Sequence, residues 1–169
     1  MSAALNKLLV LWKALSQIGI GNSNYSETRR IILSNQIAIL GIITPQLYNI
    51  FYAVHNLDLL MRPILVNVAG SFICLLVIFL NYLRYHKLAK YIIILCPNFQ
   101  IFLLTYYLST ASGMHLLHIM MISFVLFLLS TEKRVIIVFI SAIPVVLFLI
   151  SFVKFTPDVS PIVLDANVL

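Results

Sequence analysis

Residues 135–153 read VIIVFISAIPVVLFLISFV, a run without a charged side chain, which Lys133 and Arg134 precede and Lys154 follows. As an α-helix this run rises about 1.5 Å per residue and extends roughly 28 Å, close to the hydrocarbon thickness of a bilayer. A helix satisfies its own backbone hydrogen bonds in lipid, whereas in water this surface would need a large core around it. The run therefore predicts a transmembrane helix.

The composition of the whole chain resembles that of this run. The 169 residues are 62% hydrophobic and 9% charged, whereas soluble domains carry about a quarter charged residues. This deficit excludes an ordinary soluble domain, and the length suits one helical membrane domain. The net charge of +6 arises from basic residues in short connectors. That pattern is an orientation signal for a protein in a lipid bilayer, and we expect no nucleic-acid partner.

Four further apolar runs precede this one, and together they predict an all-α, polytopic membrane helix bundle of five transmembrane helices. The predicted spans are residues 34–54, 63–83, 88–109, 111–130 and 135–153. Because the connectors are short, neighbouring helices should be antiparallel. We predict a cytoplasmic segment at residues 1–30, the bundle at 31–153, and an extracytoplasmic tail at 154–169. The tail contains turn residues and then a mildly apolar stretch, as if it led to a sixth helix that this chain lacks.

The N-terminal segment predicts an amphipathic helix over residues 5–18 that lies in the membrane interface. Its apolar stripe consists of Leu5, Leu8, Trp12 and Leu15. A cytosolic helix packed on the bundle is the alternative. Gly19 and Gly21 end this helix, and Asn24 with Glu27 three residues later predicts the N-cap of the next one.

Lysine and arginine predict the orientation of the bundle. Nine of them fall on one side of the predicted spans, namely Lys7, Lys13, Arg29, Arg30, Arg84, Lys87, Lys90, Lys133 and Arg134. The other side has Arg62 and Lys154 alone. Because short loops rich in basic residues stay in the cytoplasm, we predict a multi-pass protein with a cytoplasmic N-terminus.

Polar side chains inside the predicted spans are costly and mark packing contacts or function. They occur as pairs, in the outer halves of spans one, two and four and in the middle of span three. The pairs are Gln46 and Asn49, Asn67 and Ser71, Asn98 and Gln100, and His115 and His118. If these faces converge, they line a ligand pocket that opens to the outside. Alternatively, each residue makes one interhelical hydrogen bond, worth about 0.6 kcal/mol. The inner halves of the spans are nearly all apolar.

Chemistry-bearing patterns are otherwise absent from the sequence. His115 and His118 stand out because imidazole titrates near neutral pH, but two candidate ligands without a third make a weak metal motif. The interiors of the spans contain no Asp, Glu, Lys or Arg, and no nucleophile with a base and no phosphate-binding loop occurs. Cys74 and Cys96 are interpreted as small buried residues. We therefore expect no cofactor, no metal site and no enzymatic activity in this chain.

Proline occurs near the middle of spans one, three and five, at Pro45, Pro97 and Pro144. Proline removes a backbone hydrogen bond and clashes with the preceding turn, so each site predicts a kink. Kinks at matching depth suggest a hinge that transmits a signal. A static packing feature is the alternative.

Several short motifs resemble a known group of signalling proteins. They are Ile-Gly-Ile-Gly at 18–21, Tyr-Ser-Glu-Thr-Arg-Arg at 25–30, Leu-Ser-Asn-Gln at 33–36, and the basic approach to a mid-span Cys-Pro at 87–97. They are similar to the N-terminal membrane regions of Bacteroidetes-type histidine kinases and class III nucleotide cyclases, over roughly residues 5–153. In those proteins a six-helix membrane module precedes the cytoplasmic effector. The resemblance implies a sensor module in the bacterial inner membrane that forms a homodimer and is attached to a kinase or cyclase effector.

These observations lead to two function hypotheses of different classes. The first is a sensory or regulatory module whose small lipophilic ligand enters the outer half of the bundle. The alternative is a small transporter or channel subunit, which would need an inverted repeat or a polar stripe through the full thickness. An integral-membrane enzyme is third, because its catalytic residues are missing.

Overall fold

The computed structural model describes residues 3–21 and 24–156, and within them the chain is α-helical with no β-strand. The helices are α1 (Ala3–Ser16), α2 (Tyr25–Tyr82), α3 (His86–Leu108), α4 (Leu117–Leu128) and α5 (Arg134–Lys154). Two short 3-10 turns, Thr110–Ser112 and Met114–Leu116, connect α3 to α4. The all-α prediction is confirmed for this part of the chain. The predicted tail lies almost wholly outside the described residues.

Helix α2 is a hairpin of two arms, residues 25–55 and 57–82. At Asn56 the backbone is extended (φ −162°, ψ 95°), and its side-chain oxygen accepts a hydrogen bond from Leu59 N at 3.1 Å. Asn56 thus caps the second arm, as asparagine commonly does at helix N-termini. Hydrogen bonds across the hairpin join Asn67 to Asn49 and Asn81 to Asn35, so the arms are antiparallel.

The two arms pack along a seam of regularly spaced buried residues. On the second arm these are Leu60, Pro63, Asn67, Gly70, Cys74, Val77 and Asn81. Alternating steps of three and four residues keep a stripe on one helix face and favour close antiparallel packing. The arms approach closely at Gly41, where an added Cβ would lie 2.7 Å from Cys74 Sγ. The seam continues into a core that α3 and α4 share, around Ile93 and Val125.

The two arms of α2 together with α3, α4 and α5 make five helical segments, which is the predicted number of spans. The fourth of these segments, α4, begins later than we predicted. Residues 109–116 form a compact turn rather than the first part of a helix, with positive φ at Ser109 (63°) and Gly113 (71°). The Ser109 hydroxyl accepts from Ala111 N, and Ser112 Oγ donates to Ser109 O. These local side-chain bonds compete with helix formation, which explains the difference.

The surface of the bundle is apolar, whereas several amide side chains lie inside it. Leu47 is 63% exposed and Phe139 is 73% exposed, while Asn35 and Asn98 are fully buried. Helices α2, α3 and α5 are long and apolar enough to cross a membrane, and the apolar segment Met114–Leu128 is shorter. Because α2 turns back at Asn56, it contributes two helical arms to the bundle. These features indicate a membrane protein.

The bundle has two distinct ends. The basic end holds the starts of α2, α3 and α5 together with Arg30, Lys87 and Lys133. The distal end holds the Asn56 turn and residues 109–116, and there Thr110 N donates to Phe155 O at 2.8 Å. The predicted cap at the basic end is confirmed, because Asn24 Oδ1 accepts from Glu27 N at 2.9 Å.

Candidate functional site

The distal half of the bundle contains a connected set of polar side chains, here called the distal network. It consists of Gln46, Asn49, Asn67, Ser71 and Gln100. Gln46 Nε2 donates to Ser71 Oγ at 2.7 Å, and Asn49 Nδ2 donates to Gln46 Oε1 at 3.2 Å. Asn67 Nδ2 donates to Asn49 Oδ1 at 2.8 Å, and Gln100 Nε2 donates to Asn67 Oδ1 at 3.2 Å. Five of the eight predicted site residues therefore lie together, on both arms of α2 and on α3.

The meeting of Gln100 with the hairpin depends on Gly70. An added Cβ at Gly70 would overlap the amide group of Gln100, so the missing side chain provides the space that this amide occupies. Asn67 and Ser71 lie one helical turn apart on the second arm, and Ser71 Oγ donates to Asn67 O at 3.0 Å. The network is therefore fixed by the local helix geometry as well as by contacts between helices.

The predicted pair Asn98 and Gln100 is divided between two sites. Asn98 faces α4, where its Nδ2 donates to Ile94 O at 2.8 Å and its Oδ1 lies 3.0 Å from His118 Nδ1. Because the Asn98 oxygen can only accept, His118 Nδ1 carries the proton. His118 Nε2 is then a buried acceptor, and it has no partner among the described residues.

His115 lies apart from the distal network. Its ring stacks on Phe148 of α5 with centroids 5.7 Å apart, and its buried Nδ1 has no partner among the described residues. The buried hydroxyl of Ser151 on α5 is also without a partner there. The two predicted histidines thus belong to the α3–α4–α5 side of the bundle, so the eight predicted residues do not line one common pocket.

A groove of about 330 Å³ lies between the first arm of α2, α3 and α4. Its walls are mostly apolar, and its polar side chains include Asn67 and Gln100 of the distal network. Leu40 is 52% exposed and Met120 is 56% exposed, so the groove opens laterally between the first arm and α4. Large apolar walls with a few convergent polar groups are typical of sites for small lipophilic molecules.

The groove continues into a second cavity of about 540 Å³ at the distal end. Thr44, Tyr48 and Met114 line both spaces. The distal cavity is bordered by Ala111 and Ser112, which belong to the turn before α4. The turn that replaces the predicted start of the fourth span therefore forms part of the opening at this end.

Two of the three predicted hinge prolines, Pro45 and Pro97, line the groove on opposite walls. The third, Pro144, is buried on α5 and does not line it. All three lie within continuous helices. A molecule that fills the groove would contact both Pro45 and Pro97, while the hinge itself stays a prediction.

The basic end contains a second amide cluster, the basal network, which consists of Ser34, Asn35, Asn81 and His86. Asn35 Nδ2 donates to Ser16 O at 3.1 Å and to Ile18 O at 2.8 Å. Asn81 Nδ2 donates to Asn35 Oδ1 at 2.7 Å, and Asn81 Oδ1 lies 3.2 Å from His86 Nδ1. The network ties the end of α1 to both arms of α2.

The basal network shows that our prediction of nearly all-apolar inner halves was wrong. Asn35 and Asn81 are almost completely buried, but they lie near the ends of the predicted spans, where polar residues are common. A signal was available, because both are amides at the limits of adjacent predicted spans. Ala38 and Val77, both fully buried, separate the basal from the distal network, so the hairpin has no continuous polar stripe.

The described residues contain no group of three or more His, Cys, Asp or Glu side chains arranged to hold a metal ion. Cys74 is buried and Cys96 is partly buried, and both are free thiols. Comparisons of the chain with models of protein families, with curated proteins and with solved structures find no match. The resemblance to the membrane regions of histidine kinases and nucleotide cyclases therefore stays a prediction.

Proposed function

We propose that this chain is a membrane-embedded sensory module that binds a small lipophilic ligand in the groove between the first arm of α2, α3 and α4. The observation that carries this proposal is the groove itself, with apolar walls, a lateral opening and the amides of Asn67 and Gln100 inside it. An apolar ligand gains affinity from burial, and a hydroxyl or carbonyl on it would pair with these amides.

A bound ligand would be able to change the arrangement of the helices because the groove separates the first arm of α2 from α4. The first arm and α4 form its two sides, and Pro45 and Pro97 lie in its walls. A ligand shifts an equilibrium only through its differential affinity for two arrangements. Filling the space between the first arm and α4 favours the arrangement in which these helices stand apart, and this change is the proposed signal.

In this proposal the protein lies in the bacterial inner membrane, with the basic end and the N-terminus in the cytoplasm. Helix α1 lies along the inner surface, since Leu8, Val10 and Leu11 are exposed apolar residues on it. The signal passes to a cytoplasmic histidine kinase or cyclase, and two copies of the module act together. The effector assignment is tested by isolating the tagged chain from its native membrane: a kinase or cyclase activity should accompany it, and the absence of both would contradict the assignment.

The groove is tested by photolabelling the purified chain in lipid nanodiscs with a long-chain alcohol that carries a diazirine. Mass spectrometry of peptides should place the adducts mainly on α3, α4 and the first arm. The exposed residues Val138 and Phe139 of α5 provide an internal reference for simple contact with lipid.

A matched pair of variants sharpens this experiment. Leu117 and its neighbour Leu116 are both exposed, but Leu117 lines the groove and Leu116 does not. Leu117→Trp should at least halve the labelling of the groove peptides because it fills the space, while Leu116→Trp should leave the labelling unchanged. Equal labelling of α5 and the groove in the unmodified chain would overturn the proposed site.

A transporter is the second candidate function. The distal and basal networks favour it, because they place polar groups at both ends of the hairpin, which the sequence did not predict for the inner end. The buried apolar layer at Ala38 and Val77 opposes this alternative, because a polar solute crossing it would lose its hydrogen bonds. A measurement of solute flux in proteoliposomes separates the two functions.

A further inference from the structure

A third cavity, of about 350 Å³, lies at the basic end and is separate from the groove. We call it the basal cavity. Its walls come from the first turns of α2 and α3 and from the connection between α4 and α5. Unlike the groove, it is lined mainly by polar and charged side chains, so the lipophilic ligand proposed for the groove would not bind there.

The charges around the basal cavity do not balance. Arg30, Lys87 and Lys90 line it, against the carboxylates of Glu27 and Glu132. Lys90 Nζ and Glu132 Oε1 form an ion pair at 3.2 Å, and both side chains are largely buried. Glu27 is the acidic residue in the first turn of α2. Arg30 makes a long contact of 3.4 Å to Ser130 Oγ, which leaves most of its donors available.

Helix dipoles add to this positive potential. The first turn of α2 reaches the cavity with Ser26 and Glu27, and the first turn of α3 reaches it with His86 and Lys87. Each helix N-terminus acts as about half a positive charge, so with the side chains the cavity carries roughly two positive charges. Backbone N–H groups and cations in one concavity are the usual elements of a phosphate site.

We propose that the basal cavity binds the phosphate group of an anionic phospholipid. Exposed apolar residues lie close in sequence to the lining residues: Leu83 comes two residues after Asn81 and is 44% exposed, and Leu88 follows Lys87 and is 50% exposed. A headgroup phosphate in the cavity would let its acyl chains lie along these side chains, whereas a free anion would leave them uncovered. The basic residues of short connectors lie at the depth of lipid phosphates. The proposal depends on the membrane placement above, but not on the ligand of the groove.

The bound lipid would add a link between the first arm of α2 and α3, each of which already has a polar contact with the α4–α5 connection. Arg30 belongs to the first arm of α2, Lys87 to α3, and Glu132 with its partner Lys90 links α3 to the start of α5. An anionic headgroup would bridge Arg30 and Lys87. Anionic phospholipid should therefore stabilise the folded chain, because a molecule that binds the native state raises the free energy of unfolding.

The test follows the thermal unfolding of the full chain in dodecyl maltoside during titration with dioleoyl phosphatidylglycerol. Dioleoyl phosphatidylcholine and inorganic phosphate at equal ionic strength are the comparisons. We expect a saturable rise of the unfolding midpoint with the anionic lipid alone. A similar rise with phosphatidylcholine, or with inorganic phosphate, would overturn the assignment to an anionic lipid.

Three single substitutions complete the experiment. Lys87→Gln and Arg30→Gln should each weaken the apparent affinity for phosphatidylglycerol about fivefold, since a cation near anionic lipid contributes about that factor. Lys133→Gln is the control, because Lys133 is an exposed cation at the same end that does not line the cavity. Equal weakening in all three variants would show a general surface potential and overturn the site. Lys87 is exposed, so Lys87→Gln keeps the test decisive even if Arg30→Gln does not fold.

Discussion

The two ends of the α2 hairpin carry amide clusters of similar composition that are bonded in different ways. In the basal network, the side-chain amide of Asn35 donates to two backbone carbonyls, those of Ser16 and Ile18. In the distal network, the side chains of Gln46, Asn49 and Asn67 bond mostly to one another. The same residue types therefore bind backbone groups of another helix at one end and mainly one another's side chains at the other.

This difference has a physical basis in what each network faces. The basal amides replace water at the backbone groups that end α1, and an unpaired buried carbonyl is costly. The distal amides adjoin the groove, where a ligand could take over a hydrogen bond from a neighbouring side chain. We therefore expect changes in the basal network to affect stability and changes in the distal network to affect ligand binding.

The largest effect is expected for Gly19→Ala at the basic end. Gly19 has φ +84°, and an added Cβ would overlap the backbone carbonyl of Asn81. The strained backbone alone costs about 1–3 kcal/mol, so we expect the free energy of unfolding to fall by about 3 kcal/mol. Equilibrium unfolding in mixed micelles of dodecyl maltoside and SDS measures this change.

Gly21→Ala is the matched control for this substitution. An added Cβ at Gly21 would lie 3.1 Å from the guanidinium of Arg84, which is the mobile end of a long side chain. We expect a loss below about 0.5 kcal/mol, as is usual for surface substitutions. Equal losses in both variants would contradict the close docking of Gly19 on Asn81.

Asn35→Ala should have the next largest effect. It leaves the carbonyls of Ser16 and Ile18 and the amide of Asn81 without their present partner. Unsatisfied buried groups cost about 1–3 kcal/mol, and we expect a loss of about 2 kcal/mol in the same unfolding assay. Photolabelling of the groove by the diazirine alcohol should not change. A change in labelling without a loss of stability would contradict the structural role of the basal network.

The sequence was sufficient to predict the helices and most of the distal network. Uniform apolar runs predict where the helices lie, and polar residues at helical spacing predict which side chains share a face, as with Asn67 and Ser71. The sequence did not reveal which faces meet, because pairing between helices depends on the register of the hairpin. For this reason Asn98 and Gln100, two residues apart on α3, were predicted to share a pocket although they face different helices.

Two further features, the basal network and the turn before α4, were not predicted because they depend on short-range geometry. The basal network includes backbone carbonyls of α1, and no side-chain pattern marks a carbonyl as a partner. The turn at residues 109–116 lies within a stretch that is apolar enough for a span, but its Ser109-Thr-Ala-Ser-Gly113 segment has the small and polar residues that favour turns. That segment was the available signal for a turn, and our prediction of a span from residue 111 did not take it into account.

Of the two network substitutions, Asn49→Ala in the distal network should have the smaller effect on stability. This substitution leaves Asn67 Nδ2 without the oxygen to which it donates. Hydrogen bonds between membrane helices contribute about 0.6 kcal/mol on average, and we expect a loss of that size. Because Asn67 lines the groove, its released donor is available to the hydroxyl of the diazirine alcohol, so photolabelling of the groove should increase. If Asn49→Ala lowered the free energy of unfolding as much as Asn35→Ala and left the labelling unchanged, the two networks would be equivalent, and the proposed difference between the two ends of the hairpin would be wrong.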